Sequence, residues 1–174
     1  MKTKCFARVH SRLAGSVLLA IMLVGQVAAA GTAANPFVPE QVFAGASSGK
    51  GELQLVFGKP RPFTVASFGT MQHDGRLRLA QQVKFEGEPV KSRAWVIWKT
   101  GPDHYSGTLT EAAGPVVGVT SGSRMTLLYP LNRWGLVMHQ TLDLTGHGTV
   151  LNSGSIRFLG LQVGRLREII RLKQ

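Results

Sequence analysis

Arg93 and Trp95 stand two residues apart in Arg93-Ala94-Trp95-Val96-Ile97, a spacing that puts a guanidinium and an indole on one face of an extended chain. Ile97 shares that face and Trp98 points the other way. A guanidinium over an indole makes a cation–π pair. Facing the inside of a folded domain, the pair could hold the carboxylate or phosphate head of an amphiphile, its tail among Leu77, Leu79 and Phe85. Facing outward, Trp95 would only cover surface. Tyr105 and Tyr129 present the same choice, each being either a pocket hydroxyl or a strand residue with its OH at the rim. Arg93, Trp95, Tyr105 and Tyr129 therefore form the candidate ligand-binding set, and no residue is assigned a catalytic role.

Other chemistries are weakly supported or excluded. His73, His104 and His147 fall beside Gly, Asp or Pro in turn-like sequence, where solvent is the expected neighbour, and His139 shares a face with Thr141 and Asp143 that should point outward. No pair of histidines has the His-x-x-x-His spacing of a metal site, so neither a metal nor another cofactor is expected. Gly45-Ala-Ser-Ser-Gly49-Lys50-Gly51 resembles a phosphate loop only superficially. It has three residues between the glycines rather than four, lacks Ser or Thr after the lysine, and leads into strand-like sequence. Gly45-Ala46-Ser47-Ser48-Gly49 has the spacing Gly-x-Ser-x-Gly, but it leads into strand-like sequence and not a helix, so no nucleophile elbow is read there. The single cysteine, Cys5, lies near the start.

The elements that must position these side chains read as strands. Across 76–86, Leu77, Leu79, Val83 and Phe85 alternate with Arg76, Arg78, Gln82, Lys84 and Glu86, the period of a half-buried antiparallel strand. The same alternation recurs in Leu53, Leu55 and Phe57, in Leu136, Met138, Leu142 and Leu144, and in Val150, Ile156 and Phe158. Asp74-Gly75, Gly101-Pro102-Asp103, Ser121-Gly122-Ser123 and Thr145-Gly146-His147-Gly148 supply turns between the runs. Short strands at this spacing, with no long helical window, predict an all-β fold. A closed up-and-down barrel of about eight to ten strands is preferred, because closure removes exposed edges. Residues 164–174 fit a helix face or a strand, and the strand reading closes the barrel with Leu166, Glu168, Ile170 and Leu172 on one side and a wet basic face on the other.

The first thirty residues have the order of a secretory signal peptide: Lys2, Lys4, Arg8 and Arg12, an apolar run from Leu13 to Gly25, then Ala28-Ala29-Ala30. That run is shorter than the twenty or so residues a spanning helix needs. Cleavage is expected after Ala30, giving a periplasmic or secreted protein. Cys5 precedes the apolar run instead of following it, so the chain is not read as a lipoprotein. The expected organisation is 1–30 signal peptide, 31–42 extended leader with two prolines, and 43–174 barrel domain. Removing residues 1–30 leaves a thiol-free chain with sixteen basic and nine acidic side chains, a formal charge of +7. Such a field favours anionic partners. For an exported protein an anionic membrane surface meeting the basic face ranks above nucleic acid, which is not expected as a partner.

An ordered set of short motifs adds a resemblance. Phe43-Ala44-Gly45 with Gly49-Lys50-Gly51, Arg61-Pro62-Phe63, Arg93 to Ile97, Tyr105-Ser106-Gly107-Thr108, Gly114, Gly118, Gly122, Leu151-Asn152 and Gly160-Leu161-Gln162-Val163-Gly164 are similar to a bacterial domain-of-unknown-function family, numbered thirty-eight thirty-three. The similarity spans about Phe43 to Lys173 and implies a single antiparallel lipocalin-like β-barrel in exported, often lipid-anchored proteins, with no established activity. Phe85-Glu86-Gly87-Glu88 and Leu142-Asp143-Leu144 depart from positions where the family carries more acids and aromatics. The expectation that follows is a binding protein for a lipophilic or amphiphilic anionic small molecule. Two alternatives stand beside it: an isomerase- or cyclase-type enzyme on a related barrel, marked by a buried ionisable pair, and an envelope module with a filled interior and no ligand.

Overall fold

A computed structural model describes residues 35–146 and 148–173. The expected signal peptide, its cleavage point and His147 lie outside the described residues. One short helix, α1 (Pro39–Val42), precedes ten strands: β1 (Gly45–Leu55), β2 (Arg61–Met71), β3 (Leu77–Phe85), β4 (Lys91–Lys99), β5 (His104–Leu109), β6 (Val116–Ser121), β7 (Arg124–Pro130), β8 (Leu136–Thr145), β9 (Thr149–Phe158) and β10 (Leu161–Leu172). Each strand pairs antiparallel with the next, and β1 pairs with β10 from Ser47 opposite Leu172 to Leu55 opposite Gly164. The sheet is therefore a closed antiparallel barrel with no free edge. The C-terminal segment takes the strand reading. Arg165, Arg167 and Arg171 point out of it, while Glu168 and Ile170 point in.

Alternating side-chain character explains the wall. Val116, Gly118 and Thr120 of β6 are buried and Val117, Val119 and Ser121 are exposed; Leu77, Leu79 and Val83 of β3 face in while Arg78, Ala80, Gln82 and Lys84 face out. Charged residues thus sit on the outer wall, Arg78 and Lys84 near the two ends of β3 and Arg167 in the middle of β10, and β5 and β6 are six residues long. Such a wall differs from the apolar outer band and nine- to eleven-residue strands of a membrane-spanning barrel.

The two ends differ. One is stoppered by the leader: Phe37, Val42 and Phe43 are buried in the main core with Leu77, Ile97 and Tyr105. Phe37 N–H donates to Gly122 O at 2.8 Å, and its ring meets Phe43 edge-on at 5.9 Å. Gly69 on β2 makes the docking possible, since a Cβ there would lie 1.7 Å from Phe43 O. The expectation of an extended leader is corrected over Pro39–Val42, which forms a helical turn. Pro39 suits that start because its fixed φ and missing N–H cost nothing in the first turn.

The opposite end is a mouth formed by the β1–β2, β3–β4, β5–β6, β7–β8 and β9–β10 turns. Phe57, expected to continue the inward face of a strand, lies past the end of β1 and is fully exposed in the first of these turns. Phe158 likewise ends β9 on the surface instead of following Ile156 inward.

Candidate functional site

The inward faces of the strands are not uniformly apolar. On β2 the order from the mouth is Phe63, Val65, Ser67; on β3 it is Phe85, Val83, Gln81, Leu79, Leu77; on β4 it is Arg93, Trp95, Ile97. Ser67 stands opposite Gln81, and Gln81 opposite Arg93. The three polar residues form a row across the sheet, below which Phe63, Val65 and Val83 make an apolar cluster separate from the main core.

Gln81 organises this row. Its Oε1 accepts from Arg93 Nε at 2.8 Å and from Trp95 Nε1 at 2.9 Å, and its Nε2 donates to Ser67 Oγ at 3.0 Å. Arg93 and Trp95 thus face the interior and are joined through a shared acceptor, whereas the expectation was a cation over the ring face. The indole is instead met edge-on by Tyr129, centroids 5.4 Å apart. Arg93 Nη1 lies 3.6 Å from Glu111 Oε2 in the β5–β6 loop at the mouth, with the arginine side chain 21% and the glutamate 48% exposed.

A second row continues the layer around the barrel. Tyr129 OH donates to Gln140 Oε1 at 3.0 Å, Gln140 Nε2 to Asn152 Oδ1 at 2.9 Å, and Asn152 Nδ2 to Glu168 Oε2 at 2.8 Å. Every donor points the same way, so the dipoles of the chain are aligned on the Glu168 carboxylate. Buried polar groups must be paired to be tolerated, and β7, β8, β9 and β10 each contribute one member. Gly49 and Gly51 of β1 make room at the end of the row. A Cβ on Gly49 would lie 2.0 Å from Glu168 Oε1, and one on Gly51 would lie 2.9 Å from Glu168 Cβ.

Burial sets the protonation chemistry. Desolvation pushes the Glu168 carboxyl above its usual range, opposed by the Asn152 hydrogen bond and the Arg93 charge. Desolvation also pushes the Tyr129 phenol up to about 12, again opposed by Arg93 and reinforced by Glu111 and Glu168. Arg93, Tyr129 and Glu168 are therefore electrostatically coupled inside one barrel. The layer thus holds a cation, a neutral phenol and an acid of raised pKa in one interior, of which Arg93 is the partly exposed member.

Of the expected site residues, Arg93, Trp95 and Tyr129 are brought together. Tyr105 is not with them: it is buried beside the stopper, its OH 3.5 Å from Glu40 Oε2, and burial followed by the Glu40 charge raises its pKa. Leu77 also belongs to the stoppered half, with no exposure. The partly buried inward residues at the mouth are instead Leu53, Phe85, Leu136, Val163 and Leu166. Sequence reasoning passed over Gln81, Gln140, Asn152 and Glu168. Each occupies the inward parity of an alternating strand, which was the available signal.

Fold and interior together define a lipocalin-like closed antiparallel barrel with a polar layer across its core. The chain belongs to the family described as Protein of unknown function (DUF3833), whose model matches residues 17–172. That span contains the motif set from Phe43 onward and extends further towards the N-terminus. Among solved structures, it is similar to the S-type phycobiliprotein lyase CPES from Guillardia theta, with a TM-score of 0.59, 8% identity and coverage of 78% of this chain and 91% of that one. It is also similar to a protein of unknown function from the DUF3598 family of Nostoc punctiforme, with a TM-score of 0.56, 13% identity and coverage of 83% and 53%. At these identities the likeness is one of fold. No curated protein matches the chain.

Proposed function

We propose that the chain is an exported barrel that binds a lipophilic or amphiphilic anionic small molecule at its mouth, head group on Arg93 and tail among Leu53, Phe85 and Leu166. The observation carrying this reading is the inward, partly exposed Arg93, held by Gln81 between two apolar layers, with a half-exposed Glu111 as its counter-charge. A carboxylate or phosphate head would replace Glu111 on the guanidinium fork. The similarity to a phycobiliprotein lyase is consistent with a small-molecule role for the barrel. Export rests on the order of charged, apolar and small residues over 1–30.

Native mass spectrometry of the protein purified from the cell envelope, followed by titration with a fluorescent fatty acid, tests this reading. Arg93→Ala should weaken probe binding at least tenfold, and Glu111→Gln should strengthen it several-fold by removing the competing carboxylate. A clean apo mass with no probe uptake, or equal affinity in Arg93→Ala with intact fold, would sink it.

One observation favours a second reading, an enzyme of isomerase or cyclase type: Glu168 is a buried acid electrostatically coupled to Arg93 and Tyr129. Under that reading Glu168 exchanges a proton with bound substrate, and Glu168→Gln abolishes turnover while leaving probe affinity unchanged.

A further inference from the structure

Three neighbouring turns of the mouth carry large apolar side chains that the barrel core does not use. The β1–β2 turn holds Val56 and Phe57, the β7–β8 turn Trp134, and the β9–β10 turn Leu159 with Leu161 just after it at the start of β10, exposed by 58%, 101%, 81%, 77% and 73%. They form one sector of the rim, because β1, β10, β9, β8 and β7 are successive neighbours in the barrel. Val56 N–H donates to Val163 O at 3.0 Å, and a Cβ on Gly135 would lie 3.4 Å from Leu159 Cδ2.

Leu159 adds a backbone observation. Its φ is +48, and it is the one non-glycine residue with positive φ among the described residues. The left-handed region is unfavourable for a leucine, so the turn holds a strained apolar residue in water where glycine would fit without strain.

Charge is sorted around the same rim. The stretches 53–73, 112–142 and 144–167 contain no Asp or Glu, and Lys59, Arg133, Arg157 and Arg165 stand exposed in or beside the apolar sector. The acids of the mouth turns lie on the other side, Glu86 and Glu88 in the β3–β4 turn and Glu111 in the β5–β6 loop, where Arg61 and Lys91 face Glu88 and Arg93 faces Glu111; Glu52, opposite Arg167 on the outer wall of β1, is the acid nearest the apolar sector. The apolar sector thus carries unneutralised positive charge.

We propose that this sector docks the barrel, mouth down, on an anionic lipid bilayer. Phe57, Trp134 and Leu159 enter the headgroup region and Lys59, Arg133 and Arg157 meet lipid phosphates. Aromatic side chains are at home at that depth, and apolar burial combined with basic charge is what binds a peripheral protein to anionic lipid. A second copy of the chain is the poorer occupant, because it would bring the same positive sector face to face with itself. The proposal places contact at the turns, where the sequence alone had suggested the basic wall, and it does not depend on a ligand in the barrel.

Quenching of tryptophan fluorescence by vesicles of phosphatidylglycerol, brominated near the headgroup end of the acyl chains, tests it on the full chain. Trp95 is buried inside the barrel and Trp98 sits under Arg76 towards the stoppered end, so Trp134 is the reporter at the mouth. The readout is therefore local to the rim. Quenching should occur with phosphatidylglycerol, should disappear in Trp134→Phe, and should need at least tenfold more lipid in the Phe57→Ser, Leu159→Ser double variant. Brominated phosphatidylcholine should quench at least tenfold less well. Absence of quenching on phosphatidylglycerol would overturn the proposal, as would quenching unchanged in the double variant. Self-association abolished by the double variant, without quenching in the wild type, would overturn it in favour of a second copy.

Discussion

Glu168 is the residue whose environment most constrains the molecule. It is buried at the end of a chain of aligned donors, and two glycines of β1 are needed to house it. Its folded pKa is raised above the ordinary value of 4.5 that it has in the unfolded chain, so folding favours the protonated form. The stability it contributes is fully present below pH 4.5 and is lost as pH rises through the folded value. Glu168→Gln keeps an oxygen for Asn152 Nδ2 and removes the charge. It should raise Tm by a few degrees at pH 8, and the gain should shrink towards zero at pH 3.5, as followed by circular dichroism melts at both pH values. A Tm gain of equal size at both would mean that the charge is not the cause. Sequence alternation already placed Glu168 on the inward side of the last strand. What it could not provide was the partners: Asn152 and Gln140 acquire meaning only when β9 and β8 are known to lie beside β10 in register, and hydrogen bonding between side chains on separate strands leaves no local pattern.

At the scale of elements, the turns divide into those that glycine makes easy and one that it does not. In the Asp74-Gly75 hairpin Gly75 takes φ +76 without strain, and the dipeptide announced the turn. The β9–β10 turn places Leu159 at φ +48 before Gly160 at φ +86. Relieving that strain with glycine should stabilise the fold by about 1 kcal/mol, the lower end of the left-handed penalty. Leu159→Gly is therefore expected to raise Tm by roughly 3 °C and to lower quenching of Trp134 on anionic vesicles. Opposite movement of stability and docking is the pattern of a residue kept for function. If Leu159→Gly instead lowered Tm, the leucine would be a packing residue and the rim would lose one of its three anchors. The strands themselves were readable where apolar and polar residues alternate over a full run, as in β3 and β8. Strand ends were less so, since Leu53, Leu55 and Phe57 keep the inward period although the chain has already turned at Phe57. Periodicity records side-chain type, whereas a strand stops where its partner's hydrogen bonds stop.

For the whole molecule the organising fact is that the two ends of the closed barrel are finished differently. The leader residues Phe37, Val42 and Phe43 fill the end where β1 begins, and the other end presents partly buried apolar side chains, an arginine and an apolar rim. The closed barrel class was legible because several alternating runs separated by turn signals, with no long helical window between them, have few other ways to hide their edges. The stopper was not legible, because Pro36-Phe37-Val38-Pro39 has no period and its apolar residues gain partners only from strands far along the chain. If the stopper is part of the core, Phe37→Ala should cost about 3–5 kcal/mol in denaturant unfolding, the usual range for removing a buried phenylalanine. Hydrogen exchange should then quicken first over 37–46, where the amide of residue 37 donates to Gly122 O, while the polar layer keeps its protection. Loss below 1 kcal/mol, with exchange unchanged there, would show the leader to be an appendage outside the core.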